Sequence, residues 1–333
     1  MTRDIPMVEV WRGPFAESLH RGQAVICHAS GAIVAAWGEP HQVILPRSSA
    51  KMIQALPLVE SGAAKAFGLR QDQLAIACAS HIAAPMHTDL VGRWIADLGL
   101  DDDDFRCGAE SPRHRETKVE MIRSGGHPCQ VHNNCSGKHA GFLTLTKHLG
   151  AGPDYVDPDH PVQIAVREAF EDITGAPSPG YGIDGCSAPN FGTTLYGLGR
   201  AMAFYAGARA DGTTMRERAA AQLRDAMIAY PALVAGEGKC CTDLMRAADG
   251  QAAVKTGAEG VYVAILPQQK LGIALKISDG ATRASECAIA MLLVRMGVVS
   301  AQDPRVQKYL MPVTKNWRGI ETGFLRPAPD VFA

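Results

Sequence analysis

Apolar positions along this chain follow two periods, and the period changes twice. Near the N-terminus they come in short runs and alternations. Val8-Glu9-Val10-Trp11 alternates like an edge strand, and residues 24–28 and 32–36 flank Ser30-Gly31 as the arms of a hairpin. A short extended piece, Val43-Ile44-Leu45, leads into an apolar helical run that bends or ends near Pro57, since proline lacks an amide donor and crowds the preceding turn. Helical spacing then takes over: 88–98, 115–123, 139–148, 162–173, 193–205 and 215–228 each place apolar residues three or four apart. The strand pattern returns at 260–266 and 272–277, joined by a hairpin signal over 267–271, and 281–296 reads as a helix with one apolar face. The tail after Lys315, with its proline and glycine, reads as an irregular surface segment.

Strands at both ends with helices between predict a single sheet assembled from the two ends of the chain, covered by helices, with a helical lobe inserted. The chain reads as one catalytic domain over 1–333, its sheet lobe from about 7–46 and 251–300 and its helical lobe over about 47–250. A site would lie in the cleft between lobe and sheet. Composition narrows the function. The 333 residues are 47% hydrophobic and 20% charged, an ordinary globular balance. A net charge of −1 with no basic block gives nucleic-acid binding no electrostatic footprint. No apolar run approaches the length of a membrane span. The stretch Met1-Thr2-Arg3-Asp4-Ile5-Pro6 has no apolar signal region, so the expected compartment is cytoplasmic. Nine cysteines, an odd number, mostly in apolar or glycine-rich runs, imply reduced thiols. The acidic run 101–104 reads as a solvated turn, since it has no calcium-loop pattern.

The chemistry begins at Ser48-Ser49-Ala50-Lys51. On a helix, residues three apart share a face, so Lys51 can reach the Ser48 hydroxyl. A neutral, partly desolvated lysine can take the serine proton and make it a nucleophile. Alone, the tetrapeptide reads more readily as an N-capping serine and a solvated lysine. Two later segments change the balance. Ala79-Ser80-His81 follows an apolar run, and Lys255-Thr256-Gly257 enters a strongly apolar strand. Ser-x-x-Lys, a second serine, then Lys-Thr-Gly is the chain order of β-lactamase-like hydrolases, although Ser80 is followed by His81 and Ile82 rather than Asp-Asn. The missing export signal counts against an enzyme acting on β-lactams or peptidoglycan outside the cell.

A second constellation pairs Asn133-Asn134-Cys135-Ser136-Gly137-Lys138-His139 with Gly182-Ile183-Asp184-Gly185-Cys186. Two cysteines in tight loops beside other donors could bind zinc; two packed thiols explain them equally well. Helical geometry points to His139, four residues after Cys135, as the partner ligand. Lys138 would first have to lose its proton. Asp184 could ligate, or orient a bound water.

Taken together these motifs resemble the Rhizobium-type, or class 3, L-asparaginases of the asparaginase II family. The likeness is carried by Pro46-Arg47-Ser48-Ser49-Ala50-Lys51, Ser80-His81 with His87, the segments around Cys135 and Cys186, and Lys255-Thr256-Gly257-Ala258-Glu259-Gly260. The resemblance implies a serine β-lactamase-like fold of mixed α/β (α+β) class, with an antiparallel sheet covered by helices. It also implies a homodimer, L-asparagine as substrate, and two Ser-Lys pairs, Ser48 with Lys51 and Ser80 with Lys255. It places zinc on Cys135, Lys138 and Cys186, in place of the His139 that geometry favoured. Ser48 would attack the side-chain amide, and Ser80 and Lys255 would relay a proton to the leaving ammonia. Arg47, His81, His139 and Asp184 are candidates for holding the substrate. A β-lactamase-like glutaminase and, in another class, a non-catalytic zinc or thiol sensor remain as rivals.

Overall fold

The computed structural model describes residues 4–332. Met1-Thr2-Arg3, part of the stretch read for an export signal, lies outside the described residues. The chain divides into two compact units. One holds the residues up to Ser49, Thr193–Gly207 and everything from Asp243 on; the other holds Ala50–Gly192 and Ala208–Thr242.

The first unit is built on an eight-stranded sheet in which every pairing is antiparallel. The strands run in the spatial order Val313–Lys315, Glu321–Pro327, Ile5–Arg12, Phe15–His28, Leu271–Ile277, Val261–Leu266 and Ala253–Thr256. Ile33–Trp37 closes the expected hairpin on the second half of Phe15–His28. Val261–Leu266, with its β-branched and aromatic run, is buried on both faces, so its pattern is continuous rather than alternating. Helix Leu195–Gly207 covers one face. Gly199 sits where a Cβ would lie 2.8 Å from Val25 Cγ1, and a Cβ on Gly272 would lie 2.5 Å from Gly199 O. The two backbones touch because neither carries a side chain there. Helix Thr282–Arg295 packs on the sheet as well.

Two expectations are corrected here. Ile5–Arg12 is not an edge strand: it is paired on both sides, by Phe15–His28 and by Glu321–Pro327, in a register running from Val8↔Pro327 to Arg12↔Gly323. The tail is therefore not irregular throughout; it supplies the strand Glu321–Pro327, which pairs with Ile5–Arg12 on one side and with Val313–Lys315 on the other. Its Pro327 ends a strand, where a missing amide donor costs little. Trp11 stacks on Phe324 across the pair, with the Arg326 guanidinium 4.9 Å from the Trp11 ring centre.

The second unit is helical apart from the small hairpin Tyr181–Ile183 and Pro189–Phe191. Its axis is Ser136–Leu149, whose residues from Ser136 to Thr146 are all buried, the signature of a helix surrounded by protein. Gly137 lets that helix butt against the end of Gln71–Ala77; a Cβ there would lie 2.9 Å from the Ile76 carbonyl carbon. The expected break near Pro57 is present, between Lys51–Gln54 and Leu56–Glu60. Among the described residues, no helix is long and apolar enough to cross a membrane.

Candidate active site

In the sheet unit, two of the motifs lie against each other. Lys255 stands opposite Val263 on the edge strand Ala253–Thr256 and is only 1% exposed; its Nζ donates to Thr256 O at 2.9 Å. At Gly257 a Cβ would lie 2.7 Å from Pro46 O and 3.3 Å from Ser49 Cβ. The glycine of Lys-Thr-Gly is thus required because the turn that carries Ser48 rests on its backbone. That turn is the 3-10 segment Arg47–Ala50, tied by the buried Ser49 hydroxyl, which donates to Pro46 O at 2.7 Å. Arg47 has φ +54°, a left-handed conformation uncommon for a side chain of its size. Such strain costs on the order of 1–3 kcal/mol and gathers at functional sites. Here it falls one residue before the half-buried Ser48.

In the helical unit, Lys51 opens the helix Lys51–Gln54 and is 1% exposed. Its Nζ donates to Ala79 O at 2.5 Å and to Ser80 Oγ at 3.0 Å, with Asn134 Oδ1 at 3.4 Å and Asn134 O at 3.5 Å. Ser48 stands three residues before Lys51, in the 3-10 segment that leads into this helix; the hydroxyl that the amine meets is that of Ser80. Ser80 is held in turn by its own amide, which donates to Val234 O at 2.9 Å. The ring of His81 is used within the protein. Its Nδ1 accepts from Ala83 N, and its Nε2 donates to Ser136 Oγ at 2.9 Å, whose own hydrogen goes to Val131 O. Burial, then the cationic neighbourhood of His87, Lys51 and Arg113, holds its pKa well below the usual histidine value. It is a neutral ring that shapes the loop beside Ser80.

The thiols also lie in this unit. Cys135 precedes helix Ser136–Leu149, and its amide donates to Asn133 Oδ1 at 2.9 Å. Cys186 sits in the turn Asp184–Ala188, closed by Asp184 N donating to Ala188 O, with Ser187 at φ +68°. Lys138 Nζ donates to Cys186 Sγ at 3.1 Å, and all three side chains are buried. A hydrogen bond from the Cys135 thiol is the main cause that draws the Cys186 pKa down, against burial and with the help of Lys138 and His139. The same bond, then burial, drives Cys135 up. Burial opposes the charged form of Lys138, but Cys186, Cys135 and Asp184 outweigh it and raise its pKa.

His139 lies beside this pair. Tyr155 Oη accepts from Arg106 N at 2.8 Å and shares a hydrogen bond with His139 Nδ1 at 2.9 Å. The buried His139 Nε2 makes no hydrogen bond, and Cys186 is its polar neighbour. Burial lowers the His139 pKa to about 4. Among the described residues no group of three His, Cys, Asp or Glu side chains is placed to hold a metal ion, so any metal here needs Lys138 as a ligand. Two thiols and an amine, with the unsatisfied imidazole nitrogen of His139 beside them, form a donor set that fits zinc.

Sequence reasoning missed Glu110, whose carboxylate accepts from both Asn134 N and Asn134 Nδ2. It also missed Tyr155. Asn134 lies inside the motif already quoted, so a signal was present for it; Glu110 and Tyr155 stand in segments with no pattern of their own.

The family model described as L-asparaginase II matches residues 8–327. No curated protein matches significantly. Similar solved structures include a β-lactamase from Mycobacterium bovis, 10% identical at a TM-score of 0.47, covering 84% of this chain and 95% of that one. They also include a putative β-lactamase from Bacteroides dorei, 11% identical at 0.44, covering 82% and 93%. Mglu in its native form is 13% identical at 0.45, covering 88% of this chain and 68% of that one.

Proposed function

From the fact that the chain belongs to the L-asparaginase II family, we propose that it hydrolyses the side-chain amide of L-asparagine to L-aspartate and ammonia, with Ser48 as nucleophile and Lys51 as its base. The protein is an amidohydrolase. The observation that carries the finer reading is the Lys51 amine, withdrawn from water, 3.0 Å from the Ser80 hydroxyl and three residues along the chain from Ser48.

As Ser48 Oγ attacks the amide carbon, its proton passes to Lys51 Nζ and the carbonyl π electrons move to oxygen. The tetrahedral centre collapses, the C–N bond breaks, and the proton reaches the departing nitrogen through Ser80 Oγ, so that ammonia leaves. Water then attacks the aspartyl ester and its proton passes to Lys51; as the ester C–O bond breaks, Lys51 returns that proton to Ser48 Oγ, restoring the alcohol and the neutral amine. Lys255, two residues before the glycine on which the Ser48 turn rests, would share the proton relay to the departing nitrogen with Ser80, and backbone amides near Ser48 would hold the oxyanion. Arg47, next in chain to the nucleophile, is the candidate clamp for the α-carboxylate.

Cys135, Lys138 and Cys186 would hold a zinc ion, with Asp184 and His139 around them. Bound there, the ion would supply a fixed positive charge that anchors the substrate's polar end, tuning affinity more than chemistry, because the serine–lysine pair already provides nucleophile and base. A homodimer belongs to the same reading, and sedimentation velocity tests it. The deciding experiment measures ammonia release from L-asparagine and L-glutamine with metal analysis on the same sample. Asparagine turnover lost in Ser48→Ala is expected. Near-normal turnover in that variant rejects the nucleophile, and a preference for glutamine rejects the substrate.

A further inference from the structure

Asn134 brackets the amine of Lys51, with its side-chain oxygen at 3.4 Å and its main-chain carbonyl at 3.5 Å. The two ends of an asparagine amide are nearly the same size, so the end that meets the lysine is decided by what holds the other. Here the other end is held by a carboxylate. Glu110 Oε2 accepts from Asn134 Nδ2 at 2.6 Å and from Asn134 N at 2.9 Å. Glu110 Oε1 accepts from Arg113 Nη2 at 2.7 Å and Arg113 Nε at 2.9 Å. An ionised carboxylate only accepts, so the NH2 end of Asn134 must face Glu110 and the oxygen must face Lys51. The Cys135 sulfur lies 3.2 Å from that same oxygen.

A neutral lysine amine has two N–H bonds and one lone pair. Ala79 O and Asn134 Oδ1 can take the two hydrogens, which turns the lone pair toward a serine hydroxyl. Lysine reaches this point on a flexible four-carbon stem. Without the second acceptor the amine is free to turn.

We propose that Glu110 and Asn134 are positioning residues for the amidase reaction: Glu110 fixes the Asn134 amide so that its oxygen aims the Lys51 amine at the serine hydroxyls. This inference rests on Lys51 being the base. The test is steady-state kinetics and melting temperature for Glu110→Ala, Asn134→Leu, Glu110→Gln and Lys51→Met in the full chain. Misaiming a reacting group by about 1 Å costs roughly 100-fold, so Glu110→Ala and Asn134→Leu should lower kcat by about 10- to 100-fold, with KM within about twofold of the parent. Glu110→Gln, which keeps an acceptor oxygen for the Asn134 amide, should recover most of that loss. The proposal is overturned if Glu110→Ala and Asn134→Leu keep the parental kcat while Lys51→Met is inactive. It is equally overturned if kcat, KM and melting temperature all worsen together and Glu110→Gln restores nothing. An active Lys51→Met instead removes the base on which the inference stands.

Discussion

Replacing Lys51 by arginine would separate charge from basicity. Arginine stays protonated at any working pH, so it can donate to Ala79 O and Ser80 Oγ as lysine does but cannot take a serine proton. If Lys51 served only to neutralise charge, Lys51→Arg would be mild. As a general base its loss should cost about 10²- to 10⁴-fold in kcat, read by ammonia release under saturating L-asparagine. The same scale shows what spacing can and cannot tell. That Lys51 lies one helical turn from Ser48 follows from three residues of separation. That its amine meets Ser80 depends on a loop 29 residues away, and nothing local to either motif encodes that approach. Glu110 lies further still from any pattern, because a carboxylate holding an amide leaves no trace in periodicity.

At the level of elements, the glycines decide how closely the chemistry-bearing pieces approach. Gly137 and Gly141 lie one turn apart on the same buried helix, yet an added methyl group meets rigid Ile76 backbone at the first and the tip of the flexible Leu58 side chain, 3.2 Å away, at the second. Helix propensity favours alanine at both. Gly137→Ala should therefore destabilise by about 1–3 kcal/mol and disturb Cys135 and Lys138, while Gly141→Ala should be near neutral. Chemical denaturation of the two variants measures the contrast, and equal midpoints would refute it. Strong local periodicity made the elements legible. Arg115–Arg123 matches its expected bounds, and the expected hairpin pairs Val261–Leu266 with Leu271–Ile277. The tail was illegible for a physical reason: Glu321–Pro327 has no strand alternation and becomes a strand only because Ile5–Arg12 offers it a free edge. Removing it should leave that edge open and produce a protein that aggregates, as light scattering would record.

At the scale of the whole molecule, stability should be tied to pH through histidines buried in neutral form, with His81 and His87 joining His139. For His81 the main cause is burial, followed by the nearby His87, Lys51, Arg113 and His132, all of which lower its pKa. For His87 burial again leads and His114 adds to it, partly offset by hydrogen bonds to Ala232 and Ala84 and by Glu237. The two rings stack, with centres 5.0 Å apart, so protonating one makes protonating the other harder. In the unfolded chain both titrate near the ordinary value of about 6.5. Their contribution to stability is therefore fully present above that pH. As the pH falls below it, the unfolded chain takes up protons that the folded chain refuses, and the contribution is progressively lost. Melting temperature should fall by several degrees between about pH 7.5 and about pH 5, and the slope should flatten in His87→Gln, whose amide can still donate to the Ala232 carbonyl now met by the imidazole. A melting temperature independent of pH across that range, or an unchanged slope in His87→Gln, would mean that the pair is accommodated in charged form and that the region around Ser80 is wetter than its burial implies.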